Sequence, residues 1–230
     1  MLFREEDEDL EILPFADRAE AGRMLAGKLA AYSGHHDVIV LGLPRGGMPV
    51  AAAVASALKL PLDVSVATKI GTPWEQELAM GAMAEGGVQV LDLSLIERLG
   101  LSEQEVQERV AAARRKLESH VLSYRGGRSP LDLNGKTAIL VDDGIATGCS
   151  ILAGIAAARR KGAARIVVAV PVAPATGCSA IQMEADEFAS VAEPEMFLSV
   201  SQWYQDFTQV SEEDVQRLLQ KAETSVVRAA

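Results

Sequence analysis

The chain has little of what would tie it to a membrane, a disulfide framework or a polyanion. No apolar run approaches the roughly 18 residues of a membrane-spanning helix, and the opening MLFREEDEDLEILPF is acidic where a secretory leader is basic and then apolar. A soluble cytoplasmic protein is expected. Only two cysteines occur among 230 residues, Cys149 and Cys178, with neither metal-ligand spacing nor the density of a disulfide scaffold; both read as reduced thiols. Cations are outnumbered: 22 Lys and Arg against 32 Asp and Glu leave a formal net charge of -10. That balance argues against broad nucleic-acid or anionic-membrane binding, since those surfaces reward clustered Lys and Arg. The basic clusters that do occur, Arg114 to Lys116, Arg125 to Arg128 and Arg159 to Lys161, read as solvated helix faces or partners of helix C-termini. No internal repeat or low-complexity tract is present, and the acidic run at 5–9 reads as a frayed terminus.

What is present is core-forming material, 49% of the residues being hydrophobic. Ala21, Met24, Leu25, Leu29 and Ala30 recur at helical spacing between Ala16 and about Tyr32. VIVLGL (38–43) is a short, two-sided apolar strand, PRGG (44–47) a turn, and Pro49 falls where the first turn of a helix tolerates proline. LDVSVAT (62–68) is a second strand, leading into the loop KIGTPWEQE. Ser102 and Glu105 form a capping box with Leu101 and Val106 as a hydrophobic staple; Val106, Val110, Ala113, Leu117 and Val121 then keep one apolar face. KTAILV (136–141), the loop DDGIATG, a small-residue helix ending near Gly162 and the strand RIVVAVPV follow. The segment 186–207 reads as a last strand and an irregular flap, and Ser211 caps a terminal helix. Alternating strands and helices predict a three-layer, Rossmann-like α/β fold with a mainly parallel sheet. We expect a single domain: a core over about 16–185, a flap over about 186–207 and a helix over about 211–225.

The stretch AILVDDGIATGCS (138–150) carries the chemistry. In open parallel sheets ligands sit at the carboxyl ends of strands, where loops lead into helix N-termini. Backbone N–H groups of the Thr-Gly turn, added to the helix's partial positive charge, make a phosphate site, with the hydroxyls of Thr147 and Ser150 as further donors. Asp142 and Asp143 must then serve another part of the same ligand. A vicinal diol suits a carboxylate, and a ribose 5-phosphate carries diol and phosphate one sugar apart. Other loops fail on spacing: a P-loop needs Gly-x4-Gly-Lys-Ser/Thr, a dinucleotide fingerprint needs Gly-x-Gly-x-x-Gly, and an aspartyl-phosphate enzyme wants Asp-x-Asp-x-Thr. His35-His36-Asp37 precedes its strand, at the wrong end of the sheet for a metal in the site.

VDDGIATGCS resembles the 5-phosphoribosyl-1-pyrophosphate (PRPP) motif of type I phosphoribosyltransferases. LGLPRGGMPVA, the strand ending in TKIG, VAVPVAP and the WYQDF tail resemble a bacterial group of that family whose substrate is unsettled, a likeness running from about Ala16 to Phe207. The resemblance implies a type I phosphoribosyltransferase fold with a small hood from the C-terminal flap, and transfer of the phosphoribosyl group from PRPP to a nitrogenous base as in nucleotide salvage. It implies that Asp142 and Asp143 hold the ribose hydroxyls, while Gly144, Ile145, Ala146, Thr147, Gly148, Cys149 and Ser150 cradle the 5-phosphate. Pro44, Arg45, Gly46 and Gly47 would be the pyrophosphate loop, which in such enzymes often contains a cis peptide, and Lys69 would reach the same group. Mg2+ would be held by ligand oxygens and water without a dedicated protein cage, Asp142 and Asp143 touching it only through water. Phe197, Trp203 or Tyr204 would stack on a planar base, with Asp206 reading its polar edge, and packing in the core is the equal alternative for each of these rings. The flexible catalytic loop falls on Gly71 to Gly87, which holds Trp74, Glu75, Glu77 and Glu85 but no Lys or Arg. The expected partners are PRPP and a small-molecule base, with no nucleic acid or membrane, and a homodimer could use Ala111, Ala112 and Ala113. The alternative is a PRPP-sensing regulator of the same fold with little turnover.

Overall fold

A computed structural model describes residues 14–74, 78–126 and 132–229, with side chains described to Glu223. The acidic run at 5–9, Glu75, Glu77 and Arg128 lie outside the described residues. Five parallel strands form the main sheet: β1 (Val38–Gly42), β2 (Leu62–Val64), β6 (Thr137–Val141), β7 (Arg165–Val172) and β8 (Glu187–Ala192). Their order is β2-β1-β6-β7-β8. The chain winds one way from β1 to β2 and the other way from β6 to β8, so the reversal falls between β1 and β6. Loops leaving those two strands part to opposite faces, and the crevice between them is where such sheets take ligands.

Both faces of the sheet are covered. Val38, Val40, Ile139, Val141 and Val167 meet α1 (Arg18–Lys28) and α2 (Gly47–Leu58), while Ile39, Leu41, Leu140, Ile166 and Val168 meet α5 (Cys149–Arg160) and the short α6 (Ser179–Glu184). Burial on both faces explains why β1 and β6 are continuous apolar runs without alternation. Each fully buried aliphatic side chain contributes about 1.5–3 kcal/mol. In α1 the expected apolar set holds at Ala21, Leu25 and Leu29, whereas Met24 and Ala30 face solvent. No helix among the described residues is long and apolar enough to cross a membrane.

The stretch read as one strand at 62–68 divides. After β2, residues Ala67–Gly71 form β3 in a separate antiparallel sheet with β4 (Ala79–Ala84) and β5 (Val88–Leu91), in the order β3-β4-β5. Part of the stretch expected to be a flexible loop is therefore a core strand: every residue of β4 is buried, Ala82 and Ala84 against Ala153 and Ala157 of α5 and Met83 within the core beside α4 (Glu103–Arg125). A short α3 (Leu93–Arg98), capped by Asp92, links β5 to α4. The capping box forms as the sequence predicts, Ser102 accepting from the Glu105 amide and Glu105 accepting from the Ser102 amide. Ala113 of α4 is buried against the core, while Ala111 and Ala112 are exposed. The last helix, α7 (Glu212–Ala229), packs on α2 and α4 and starts with Ser211 and Asp214 bonded to each other's amides.

Two of the basic clusters are not simply solvated. Arg125 is buried and donates to Glu85 through Nε (2.5 Å) and Nη2 (2.8 Å), to Asp63 at 3.0 Å and to the Val64 carbonyl. Lys161 donates to Glu85 at 2.7 Å. This network ties α4, the three-stranded sheet, β2 and the end of α5 together.

Candidate active site

The adjacency of β1 and β6 places two loops side by side. Gly42 pairs with Val141 at the ends of the strands, and the Leu43 amide donates to the Val141 carbonyl at 2.8 Å. Beyond that rung, PRGG and DDG press on one another. A Cβ on Gly46 would collide with Asp143 Oδ2, and one on Gly47 would lie 2.7 Å from both Asp142 Cα and the Val141 carbonyl oxygen. Glycine is required at 47 because the backbone there approaches the neighbouring backbone too closely for any side chain, and at 46 it leaves room for the Asp143 carboxylate. The Pro44–Arg45 peptide is cis, the form the resemblance implies for this loop.

Each loop opens a helix, and neither helix is capped by a side chain. Gly46 is the N-cap of α2 and Gly148, at φ 73°, the N-cap of α5, whereas Asp17, Asp92 and Ser102 cap α1, α3 and α4. At α5 the first-turn amides and the positive end of the helix dipole are thus left for a ligand, whereas at α2 the Gly47 and Met48 amides donate to the Leu43 and Arg45 carbonyls and Pro49 has no N–H, so that helix offers the positive end of its dipole. Ala146 and Thr147 are exposed, with Gly148, Cys149 and Ser150 half-buried. Ile145 is different: its side chain is core and its amide donates to the Val172 carbonyl, so it anchors the loop and does not line the cradle. Gly144 is covered by Val200 of the hood, whose methyl carbon would be 2.6 Å from an added Cβ.

Between the two helix N-termini stand the carboxylates. Burial, then the neighbouring charge of Asp143, pushes the Asp142 carboxyl well above the usual carboxylate range, with Lys69 drawing it down. Asp143 is also raised, by burial, although Arg18 opposes it. Lys69 stands on β3, exposed and within electrostatic reach of Asp142, though on a strand other than the one expected. Arg45 is exposed and its charge reaches His120 and Tyr124 of α4.

The hood is a cluster of Phe15, Tyr204, Phe197, Trp203 and Phe207 over the ends of β7 and β8. Tyr204 does not serve as an open base platform. Its ring is buried between Phe15 and Phe207, with centroids 5.4 and 5.1 Å away, and its hydroxyl donates to the Asp143 carbonyl at 2.7 Å. Phe197 and Trp203 keep partial exposure, and the Trp203 indole N–H is buried without an acceptor among the described residues. Asp206 is exposed, but one carboxylate oxygen already accepts the Thr208 amide and hydroxyl.

Sequence reasoning passed over Arg18. Its Nε donates to Asp143 Oδ2 at 2.9 Å, across 125 residues of chain. One local sign was available, a cation in the first turn of a helix, where the dipole favours acids.

A parallel α/β sheet with an Asp-Asp strand end, a glycine-rich partner loop and two helix N-termini without side-chain caps over one crevice defines a type I phosphoribosyltransferase fold. The chain belongs to the phosphoribosyl transferase domain family, whose model matches residues 11–207. Two Mycobacterium tuberculosis proteins, provisionally named phosphoribosyl transferases, are each 42% identical to it over 217 residues, 94% of this chain and 48% of theirs. The chain spans about half the length of these curated relatives. The crystal structure of TT1426 from Thermus thermophilus is similar with a TM-score of 0.76 and 37% identity, over 91% of this chain and 99% of that one.

Proposed function

We propose that the chain binds PRPP and transfers its 5-phosphoribosyl group to a nitrogenous base, releasing pyrophosphate. The observation that carries this reading is the contact of Gly46 and Gly47 with Asp143 and Asp142, which makes two loops with different ligand preferences into one site. The amides and hydroxyls from Ala146 to Ser150 take the 5-phosphate, Asp142 and Asp143 accept from the ribose hydroxyls, and the Pro44 to Gly47 loop takes the pyrophosphate. In the reaction a ring nitrogen of the base forms a bond to ribose C1 as the bond from C1 to pyrophosphate oxygen breaks. The leaving oxygen keeps the electron pair, and the N–H proton of the base passes to water. Positive charge grows on the sugar beside the two carboxylates, and negative charge grows on pyrophosphate within reach of Arg45, Lys69 and the positive end of the α2 dipole. Groups fixed in place before the reaction favour that separation of charge.

The paired carboxylates are hard oxygen donors and suit Mg2+ held on PRPP oxygens and reached through water. When bound, that ion would add positive charge at the leaving group. Phe197 and Trp203 offer aromatic surface for the base, and salvage of a nucleobase is the corresponding cellular role.

Two assays test this. Calorimetric titration with PRPP and Mg2+ should show binding that falls by about tenfold or more in Asp142→Asn/Asp143→Asn, each lost charge-assisted hydrogen bond contributing about 1.5–3 kcal/mol. Incubation with PRPP, Mg2+ and a panel of purines, pyrimidines and orotate should release pyrophosphate with at least one acceptor. Tight PRPP binding with silence across the panel overturns transfer and leaves a PRPP-sensing regulator. One observation favours that second reading: β4 commits residues 79–84 of the 71–87 stretch to the core, and the stretch carries no cation to close over an anionic substrate.

A further inference from the structure

Arg18 stands against two local rules at once. It occupies the first turn of α1, where the helix dipole disfavours a cation, and only 8% of its surface is exposed. Its guanidinium group is engaged on three sides. Nε donates to Asp143 Oδ2 at 2.9 Å, Nη1 donates to the Thr208 carbonyl at 2.9 Å, and its carbon lies 3.8 Å from the centroid of the Phe207 ring. A planar fork with a stacking face can do all three together, which an ammonium group cannot. Asp143 is held from other directions too: its carboxylate lies against Gly46, and its carbonyl accepts the Tyr204 hydroxyl. Around this point the chain entering α1 pairs with the hood. The Phe15 amide donates to the Trp203 carbonyl, the Gln205 amide to the Phe15 carbonyl at 2.8 Å, and the Asp206 amide to the Ala16 carbonyl at 3.0 Å.

We propose that Arg18 is a positioning residue that couples the sugar site to the hood, holding Asp143 with one edge of its guanidinium group and the 204–208 segment with the other edge and the flat face. A sugar hydroxyl that donates to Asp143 meets a carboxylate already oriented by Arg18 and by the close approach of Gly46. Loosening of the hood withdraws Arg18 and frees the carboxylate to swing away. Coupling of this kind is reciprocal: the order that sugar binding adds to the hood equals the affinity that hood order adds to the sugar. This rests on Asp143 as a sugar ligand and adds that the hood, including residues far from the Asp-Asp stretch, belongs to the same device.

The test uses PRPP with Mg2+ as the probe, read by calorimetry and by hydrogen exchange at the Gln205 and Asp206 amides. In the wild-type chain PRPP should slow exchange at both. Arg18→Met should bind PRPP about tenfold more weakly, as expected for a lost charged hydrogen bond, and saturating PRPP should no longer slow those amides. Arg18→Lys keeps the charge but not the fork, and should recover most of the affinity without recovering the exchange response. Wild-type affinity and exchange response in both variants overturn the proposal. Weakened binding with an intact exchange response in Arg18→Met also overturns it, since a residue that only supports the fold would behave that way. If Arg18→Met does not fold, Phe207→Leu, which removes the face stacked on Arg18 and its packing on Tyr204 while leaving both Arg18 hydrogen bonds, should show the same lost response, and a retained one overturns the coupling. A wild-type chain that does not bind PRPP overturns the sugar-site reading itself, a failure visible before any variant is made.

Discussion

Two ionic clusters in this molecule use the same residue types to opposite ends. Around Arg125, cations and carboxylates match: Glu85 takes a two-pronged bond from Arg125 and another from Lys161, and Asp63 takes a third from Arg125. Burial alone pushes the Glu85 carboxyl up, yet the bonds from Arg125 and Lys161 outweigh it and hold it below the usual range. Around Asp142 and Asp143 the match is incomplete. Arg18 serves Asp143, Lys69 reaches Asp142 only at a distance, and both carboxyls lie above the usual range. The first cluster is satisfied within the chain and holds two sheets together. The second keeps capacity that a ligand can fill, beside the N-terminus of α5, whose first-turn amides are likewise left open. A perturbed carboxylate thus speaks for function when its perturbation is unrelieved, and for architecture when counter-charges have relieved it.

Five variants break or sharpen that contrast. Arg125→Met should cost the most, about 3–5 kcal/mol in urea unfolding, because it strands Glu85 and Asp63 in the interior; a loss below about 1 kcal/mol, the scale of an exposed pair, would remove the structural assignment. Next, Gly47→Ala sets a methyl against backbone atoms of Val141 and Asp142 and should destabilise by about 1–3 kcal/mol while weakening PRPP binding. Tyr204→Phe leaves the Asp143 carbonyl without its hydroxyl donor, for a loss of about 1–2 kcal/mol in thermal unfolding.

The smallest change carries the clearest sign. Asp142 holds its proton more tightly folded than unfolded, so its contribution to stability falls as pH rises past 3.8 toward the folded value. Asp142→Asn lacks that slope and should gain on the wild type over this window. Glu85 is the reverse: its contribution is present above 4.5 and is lost as pH falls through the lower folded value. Glu85→Gln should therefore trail the wild type above pH 4.5 and close the gap below it. Urea midpoints across the acid range read both slopes, and slopes of the same sign would end the comparison.

The sequence by itself determined whatever is written into contiguous residues. An apolar strand, two acids and a Gly-x-x-Thr-Gly turn lie within 13 residues, so Ala138 to Ser150 announces its strand, loop and helix without help from the rest of the chain. The Ser102 and Glu105 cap and the alternation behind the parallel sheet are legible for the same reason. β4 was not: AMGAMA has no β-branched or aromatic residue, and burial on both faces removes the alternation that would reveal a strand. Tertiary structure alone decided which charges meet. Arg18 reaches Asp143 across 125 residues and Arg125 reaches Glu85 across 40, and no local pattern encodes such pairs because their geometry exists only once the strands have paired. The same holds for Tyr204, whose ring the sequence offers equally to a base or to the core; the fold gives it to Phe15 and Phe207, and its hydroxyl to Asp143.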